Sequence, residues 1–446
     1  MVRSVLGGVT LVTVQASRGL RRRQFLATGG WTLGCIALGA TTDGCRSRNG
    51  DREVAALWFS YGGRNRQVLE GLVRRFNQSQ SACRIKPVFQ GDYYEGLAKL
   101  RLGIAASAGP SVSHVIGEVV PYLAEAGVLE NLSGYPGATQ IDVVPALGQA
   151  GSWVGGAARP LVALPFNRST PIAYLNGSVF SQHGLGAPRT WEELREVARA
   201  LTLRRGGRTI RFGFECPISW WFWVALVNQA GDDVVEPDGS VTLGGAAGER
   251  ALRFWQTLTA HDRSMKRPAG REASANESTN NDFLAGRAAM IWNSTAFLKY
   301  LEDHAGFPVV AAPLPADRRT GMPTGGTHFV VLRSASESSK RAAWSFLRWM
   351  MAPDQVIEWA TSTGYLPVTL EAVHRLEKSG YYARHPNDRV AYEQLQVARP
   401  WPWSTDLVRI AREIVQPELE RAVVSGEDAA KVLAQARESI RRSHGH

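Results

Sequence analysis

Side chains that could bind a ligand recur where the predicted strands end, as single hydroxyls, amides and charges. The stretch "QGDYY", Gln90 to Tyr94, directly follows one predicted strand, and Glu118 directly follows the next. The carboxyl ends of parallel strands meet at one edge of a sheet, where α/β proteins bind their ligands. Glu118 could equally be a solvated carboxylate at a helix start, because the helix dipole favours an acid there. This edge is the first place to expect a binding site.

A tyrosine also stands at a stiff corner of the chain, in "TSTGYLPV" between two helix-like segments. Gly364 permits backbone angles that other residues resist, and Pro367 forces Leu366 toward an extended conformation. Tyr365 is therefore held on a non-repetitive turn. A phenol in such a position either packs in the core of the turn or contacts a ligand.

The sequence contains no recognisable catalytic or metal-binding motif. None of the nine histidines has the HxxxH spacing that places two imidazoles on one metal ion. There is no GxSxG, GxxxxGK[ST] or GxGxxG motif, and "LPFNRSTP" lacks the glycines that would present a serine nucleophile. We therefore expect no enzyme and no cofactor. A pair of catalytic carboxylates has no sequence signature, so a secreted enzyme acting on glycans or phosphodiesters is the minority alternative.

The composition indicates a multidomain globular protein that does not bind nucleic acid. The chain has 446 residues, of which 44% are hydrophobic, enough for two or three domains. Its formal net charge is +11, but the basic residues are scattered and form no stripe with interleaved aromatic residues. A small anion is a better candidate partner than DNA or RNA, although a merely basic surface explains the charge equally well.

Residues 1–45 are predicted to be an export signal. In "RRRQFLATGGWTLGCIALGA", Arg22 and Arg23 precede a short, moderately apolar run, which is typical of a twin-arginine signal. An ordinary secretory signal with an additional arginine is the alternative. Cys45 in "TTDGC" stands where a lipoprotein carries its acylated cysteine, but "ALG" from Ala37 offers a competing cleavage site. Either way, we expect the mature protein on the outer side of the cytoplasmic membrane.

The order of predicted elements after the signal is that of an α/β protein. Three predicted strands alternate with helices over residues 67–76 and 94–106, and the strands are "EVAALWFS", "CRIKPVFQG" and "SVSHVIGE". This β-α-β-α-β order predicts a parallel sheet with right-handed crossovers. Thr190 then opens a capping box with Glu193, so a helix begins there in a second α/β unit.

The chain resembles the extracellular solute-binding proteins of ABC importers, and among them the glycerol-3-phosphate-binding type. The resemblance extends from residue 54 to residue 425 and rests on a series of motifs in order: "RFNQS", "QGDYYEGL", "PFNRSTPIAYLN", "RTWEEL", "PTGGTHFVVL", "STGYLPV" and "REIVQPELE". It implies a monomeric binding protein that makes and breaks no bond and delivers its ligand to a membrane permease.

The resemblance also implies the maltose-binding-protein-like fold, in which two α/β lobes close on a ligand in the cleft between them. We expect residues 54–165 with 327–360 in the N-terminal lobe. Residues 166–326 with 361–446 would then form the C-terminal lobe.

By resemblance, eight residues contact the ligand: Tyr93, Glu118, Ser169, Trp220, Ser294, Gly326, Tyr365 and Arg412. Their chemistry is coherent, since phosphate oxygens take a guanidinium fork, hydroxyl donors and a closely approaching glycine amide. Glycerol hydroxyls take a carboxylate acceptor and phenolic partners. Tyr94 and Arg409 are the alternatives in register to Tyr93 and Arg412.

One departure from the family pattern leaves the ligand open. Glycerol-3-phosphate binders of this type carry two tryptophans, three residues apart, in the segment that corresponds to "FECPISWWFW". Trp220 can supply the second, but the first position holds Pro217 or Ile218. Without the first of these tryptophans, a glycerophosphodiester such as glycerophosphocholine fits as well as glycerol-3-phosphate. Trp220 and Trp221 could then contact its quaternary ammonium. A neutral sugar or oligosaccharide is the further alternative.

Overall fold

The computed structural model describes residues 52–148, 160–267, 272–399 and 401–444. The predicted export signal, with Arg22, Arg23 and Cys45, lies outside these residues. Cys83 and Cys216 are buried free thiols. Within the described ranges, no helix is both long enough and apolar enough to cross a membrane.

The strands form one five-stranded sheet, one three-stranded sheet and two two-stranded sheets within the described residues. Their bounds are β1 Glu53–Phe59, β2 Cys83–Phe89, β3 Val112–Ile116, β4 Ala163–Ser169, β5 Pro171–Asn176, β6 Leu203–Arg205, β7 Arg208–Arg211, β8 Met290–Ser294, β9 Val309–Ala312, β10 Met322–Pro323, β11 Gly325–Val331 and β12 Ala398–Arg399. The large sheet has the order β2-β1-β3-β11-β4, and the three-stranded sheet has the order β8-β5-β9.

The predicted parallel unit is confirmed, because β1 pairs in parallel with both β2 and β3. β11 runs antiparallel to β3 and β4, so a strand from late in the sequence completes the large sheet. β4 passes into β5 through Thr170 alone, which joins the two sheets directly. The three predicted lobe boundaries fall within β4, β11 and a helix over Pro353–Thr363; the lobe assignment itself stays a prediction.

The α-helices cover the sheets. Their bounds are α1 Gly63–Ser79, α2 Tyr93–Ala105, α3 Val120–Glu125, α4 Pro145–Gly148, α5 Gly177–Gln182, α6 Trp191–Leu201, α7 Trp220–Gln229, α8 Gly245–Gln256, α9 Glu272–Leu284, α10 Leu298–His304, α11 Glu337–Met350, α12 Pro353–Thr363, α13 Leu370–Lys378, α14 Tyr381–Arg384, α15 Pro386–Glu393, α16 Leu407–Arg409, α17 Gln416–Val424 and α18 Ala429–His444.

Two helix predictions show how local sequence sets the elements. α1 buries Leu69, Leu72, Val73 and Phe76, the apolar stripe expected from its period. α6 begins after Thr190, whose hydroxyl accepts from the Glu193 amide at 3.1 Å, as predicted. The Glu193 carboxylate does not bond back to Thr190 but accepts from the amide of the preceding Arg189 at 2.7 Å. The reciprocal hydrogen bond of the capping box is therefore made by the Arg189 amide, one residue before Thr190.

A buried carboxyl cluster lies where the segment before α7 meets α9. The Glu215 side chain is buried, and its neighbour Asp282 is paired with Lys266 and Arg287. Burial, together with the negative charge of Asp282, raises the pKa of Glu215 to about 8 against the opposing effect of Lys266 and Arg287. Glu215 is therefore mostly protonated at neutral pH and Asp282 carries the negative charge.

Replacing Glu215 by glutamine should stabilise the protein increasingly as pH rises. The pKa of Glu215 is about 8 in the folded chain, against an ordinary value of 4.5, so unfolding releases a proton between these values. Wild-type stability then falls across this window by at most ~1.4 kcal/mol per pH unit, while the amide does not titrate. Urea unfolding at about pH 5 and about pH 8 measures the change.

The control for that experiment is Glu196→Gln, which removes a negative charge from an exposed position. Its effect on the free energy of unfolding should be small at both pH values. If Glu215→Gln changed stability equally at both pH values, the raised pKa of Glu215 would be wrong.

Candidate functional site

Tyr93 and Tyr365 meet at a buried amide although they are far apart in the sequence. Asn167 donates from Nδ2 to the hydroxyl oxygens of Tyr93, at 3.2 Å, and Tyr365, at 3.3 Å. The two phenol oxygens are themselves 3.3 Å apart. The Asn167 oxygen accepts from the backbone amide of Thr327 at 2.6 Å and from its hydroxyl. One fully buried asparagine thus joins α2, β4, β11 and the corner after α12.

The local structure around each tyrosine explains its orientation. Tyr93 is the first residue of α2, whose N-cap Asp92 accepts from the amides of Tyr94 and Glu95 at 2.8 Å. Tyr365 follows Gly364, which ends α12 in the left-handed conformation with φ of 95°. This is the stiff corner that the sequence predicted.

Aromatic packing and burial define the state of the two phenols. The Tyr365 ring stacks on Trp359 with ring centroids 5.5 Å apart and planes 9° apart. Burial raises the pKa of both Tyr93 and Tyr365 above the ordinary tyrosine value. Both phenols are therefore neutral at physiological pH, and each can donate as well as accept a hydrogen bond.

Glu118 lies next to a buried cation that the sequence analysis missed. It occupies the 3₁₀ turn Gly117–Val119 directly after β3, as expected from strand order. Burial raises the pKa of Glu118, while the positive charge of Arg168 opposes this rise. Arg168 is fully buried and donates to the Gly326 carbonyl at 3.0 Å and to the Thr324 hydroxyl at 2.8 Å.

Arg168 remains a cation in this environment. Burial lowers its pKa to about 10, and the nearby Glu118 and Tyr93 favour the charged form. Both neighbours are predicted ligand residues. Arg168 therefore supplies fixed positive charge to the end of the sheet where the ligand is expected.

The position of Gly326 has no room for a side chain. Its φ is 91°, and a Cβ built on it would lie 1.8 Å from the carbonyl oxygen of Asn167. The register between β11 and β4 shifts at this point, between Gly326 and His328. The glycine thus lets β11 approach β4 closely where the two strands carry candidate site residues.

The two predicted serines lie at the junction of the two sheets. Ser169 ends β4, is buried and pairs in register with Gly325. Ser294 ends β8 opposite Pro171, and its hydroxyl accepts from the Ala296 amide at 3.2 Å. Because Pro171 follows Ser169 after one intervening residue, strand pairing brings the two serines to the same junction.

The structure distinguishes Arg412 from Arg409. Arg409 donates to the Asp406 carboxylate at 3.3 Å and to the Ser443 hydroxyl at 3.2 Å, on the side of α18. Arg412, on the π-helix Ile410–Val415, places its guanidinium carbon 3.3 Å from the centroid of the Tyr94 ring. Arg412 thus contacts the start of α2, while the described contacts of Arg409 are with Asp406 and α18.

Trp220 and Trp221 occupy different environments. Trp220 is 7% exposed, belongs to the hydrophobic core around α7 and α8, and stacks on Trp401. Trp221 is partly exposed and donates from Nε1 to the Thr324 carbonyl at 3.3 Å. A Cβ at Gly325 would lie 2.7 Å from the Trp221 ring, so this indole covers the start of β11. Trp221 is thus the more exposed of the two indoles and contacts the start of β11, while the role of Trp220 in ligand binding stays a prediction.

Comparison with known proteins identifies related chains over most of the length. A profile for bacterial extracellular solute-binding proteins matches residues 71–387. The sn-glycerol-3-phosphate-binding periplasmic protein UgpB of Salmonella typhimurium is 26% identical over 396 residues, covering 82% of this chain and 86% of UgpB. UgpB of Yersinia pestis is 26% identical over 387 residues with the same coverage.

Solved structures share the fold. UgpB from Mycobacterium tuberculosis in complex with glycerophosphocholine has a TM-score of 0.76 and 24% identity, covering 86% of this chain and 97% of that one. The Listeria monocytogenes protein Lmo0181 in complex with cycloalternan has a TM-score of 0.77, 17% identity and coverages of 89% and 100%. Maltose-bound MalE3 of T. maritima has a TM-score of 0.75, 18% identity and coverages of 87% and 99%. The predicted maltose-binding-protein-like fold is confirmed.

Replacing Gly326 by alanine should destabilise the protein by about 2 kcal/mol or more, because strain at positive φ adds to a clash with Asn167. Gly184→Ala is the matched control, since Gly184 has φ of 63° but nothing within 4 Å of a built Cβ. That control should lose only about 1 kcal/mol, from backbone strain alone. Chemical denaturation measures both values, and equal losses would contradict the close approach of β11 to β4.

Proposed function

We propose that this chain, which belongs to the family of bacterial extracellular solute-binding proteins, binds glycerol-3-phosphate or a glycerophosphodiester such as glycerophosphocholine. As a family member it is the substrate-binding component of an ABC importer, delivers its ligand to a permease and is not an enzyme. Its relatives are periplasmic or extracellular binding proteins, so the secreted-enzyme alternative is set aside. The identity of the ligand is the step that we propose.

The observation that carries this proposal is the placement of Arg412. Its side chain is exposed, and among the described residues it forms no ion pair; it lies over the ring of Tyr94. Arg409, three residues earlier, already contacts Asp406 and Ser443. A guanidinium that is oriented by a ring face keeps its N–H groups available for a planar, charge-assisted interaction with phosphate oxygens.

The glycerol part of the ligand would contact the neutral end of the site. Tyr93 and Tyr365 are uncharged phenols, and Glu118 is a partly buried carboxylate with Arg168 nearby. Hydroxyl groups can donate to the carboxylate and accept from the phenols. We assign the phosphate to Arg412, Ser169, Ser294 and Gly326 as the resemblance implies.

A diester fits the site at least as well as the monoester. Pro217 and Ile218 are buried and have no aromatic ring, so the site lacks the first of the two tryptophans described above. Trp221 is partly exposed beside Gly325, where a quaternary ammonium could contact its ring for ~0.5 to 2 kcal/mol. Glycerophosphocholine carries such a group, which glycerol-3-phosphate lacks.

A neutral oligosaccharide is the second candidate. Structures with the same fold hold maltose and cycloalternan, and aromatic rings such as those of Tyr94 and Trp221 also suit sugar faces. Arg412, which has no carboxylate partner among the described residues, favours an anionic ligand, because phosphate oxygens would supply that partner.

We also propose export by the twin-arginine route, on the basis of Arg22 and Arg23. Cys45 is then either the lipid anchor or, if the signal is cleaved near Ala37, an unmodified residue that follows the cleavage site. The protein would act as a monomer. These proposals rest on the sequence alone.

Titration with a small ligand panel should identify the ligand. We expect glycerol-3-phosphate and glycerophosphocholine each to stabilise the protein, by ~2.7 kcal/mol at 100 times the Kd. Glycerophosphocholine should bind at least as tightly, and Trp221→Ala should weaken its binding more than that of the monoester. A tenfold preference for the monoester would refute the diester assignment, and stabilisation by maltotriose alone would favour the sugar alternative.

Arg412→Ala should abolish binding of a phosphate ligand and leave the fold intact. The side chain is exposed, and its truncation leaves phosphate oxygens without a charged partner, a loss on the order of 2 to 5 kcal/mol. Arg409→Ala is the matched control and should keep wild-type affinity. Calorimetric titration of the folded variants decides between them; unchanged affinity of Arg412→Ala, or loss in Arg409→Ala, would reverse the assignment.

A further inference from the structure

Tyr61 lies at the same sheet edge as the predicted ligand residues. It stands two residues after Phe59, the last residue of β1. β1 is the strand between β2 and β3, which precede Tyr93 and Glu118 respectively. Because the three strands are parallel, their carboxyl ends meet at one edge. Tyr61 therefore lies at this sheet edge between Tyr93 and Glu118, which are already assigned to the ligand.

Aromatic contacts hold the Tyr61 ring in place. It stacks on His114 with centroids 5.4 Å apart and planes 23° apart, and it contacts Trp359 at 5.8 Å. Trp359 also stacks on Tyr365. The rings of Tyr61 and Tyr365 thus share one tryptophan, and only 9% of Tyr61 is exposed.

The hydroxyl group of Tyr61 is buried and has no hydrogen-bond partner in the part of the chain that the structure describes. Asn167 satisfies Tyr93 and Tyr365 but does not bond to Tyr61. Burial raises the pKa of Tyr61, and the proximity of Tyr93 raises it further, so the phenol is neutral. A buried hydroxyl without a partner is destabilising, and native proteins keep few of them.

We propose that Tyr61 is a ligand-binding residue whose hydroxyl group hydrogen-bonds a hydroxyl of the glycerol unit when the cleft is occupied. The inference rests on the proposed function, because it requires a ligand with free hydroxyl groups. The hydroxyl groups of Tyr93 and Tyr365 hydrogen-bond to each other and to Asn167. Of the three phenols, Tyr61 therefore has the most unused hydrogen-bonding capacity. Tyr61 then contributes to selectivity for a polyol over a phosphate ester without hydroxyl groups.

The test is Tyr61→Phe in the full chain, which removes the hydroxyl and keeps the ring. Without ligand, the melting temperature should equal or exceed that of the wild type, because the lost group has no partner. Affinity for glycerol-3-phosphate should fall about tenfold, as for one lost hydrogen bond. Tyr382→Phe is the matched control: its hydroxyl is also buried without a partner among the described residues, and its ring stacks on Tyr392. It should keep wild-type affinity.

Propyl phosphate, which keeps the phosphate and lacks both hydroxyls, completes the experiment. The wild type and Tyr61→Phe should bind it with affinities within about twofold of each other, since neither can form the proposed bond. An equal loss for propyl phosphate and glycerol-3-phosphate would mean that the ring has moved and would overturn the inference. A lower melting temperature of Tyr61→Phe would overturn it too, by showing that the protein itself satisfies the hydroxyl.

The two proposals fail in different ways. If the wild type binds neither glycerol-3-phosphate nor glycerophosphocholine, the proposed function is wrong and the role of Tyr61 with it. If the wild type binds and Tyr61→Phe binds equally well, the role of Tyr61 alone is wrong.

Discussion

The side-chain amide of Asn167 is the interaction on which the candidate site depends. The backbone N–H of Thr327 can only donate, so the Asn167 atom that faces it must be the oxygen. The amide nitrogen then faces Tyr93 and Tyr365 and donates one hydrogen to each phenol oxygen. Each phenol accepts from Asn167 and keeps its own proton to donate. At most one of these protons is used between the two phenols, so at least one is directed to another acceptor.

The strand geometry around Asn167 makes this arrangement possible. The register of β11 against β4 shifts between Gly326 and His328, and the amide of Thr327, which lies between them, bonds to the Asn167 side chain. Gly326 can enter this irregular stretch because it has no Cβ to meet the Asn167 carbonyl. Arg168, the next residue of β4, holds the same stretch by donating to the Gly326 carbonyl. The site is built on paired strands, which fix its donors more rigidly than free loops would.

Sequence reasoning found what depends on local pattern and missed what depends on distant partners. The strand-end rule identified Tyr93 and Glu118, and the same rule applied to β1 would have found Tyr61. Asn167 and Arg168 lie inside a quoted motif, but their hydrogen-bond partners are distant in the sequence, from 74 residues for Tyr93 to 198 for Tyr365. No local pattern indicates such a bond.

The rotational phase of a helix is the other feature that the sequence did not predict. Trp220 and Trp221 are adjacent, and about 100° of helical rotation separates the buried indole of Trp220 from the partly exposed indole of Trp221. The choice depends on where α7 begins, which composition does not fix. Arg409 and Arg412 lie nearly one turn apart, and only their distant contacts separate them, Arg409 with Ser443 and Arg412 with Tyr94.

The charges around the site bear on which phosphate ester it suits. Arg168 remains a cation and lies close enough to Glu118 for the two side chains to interact, while burial raises the pKa of Glu118 and the phenols are neutral. Arg412 is exposed and forms no ion pair among the described residues, so under the proposed function it supplies the charge that meets the phosphate. A phosphodiester carries one negative charge, while a monoester approaches two at neutral pH. Under the proposed function, a diester therefore needs only the one charge that Arg412 supplies, while a monoester also calls on the uncharged hydrogen-bond donors around it.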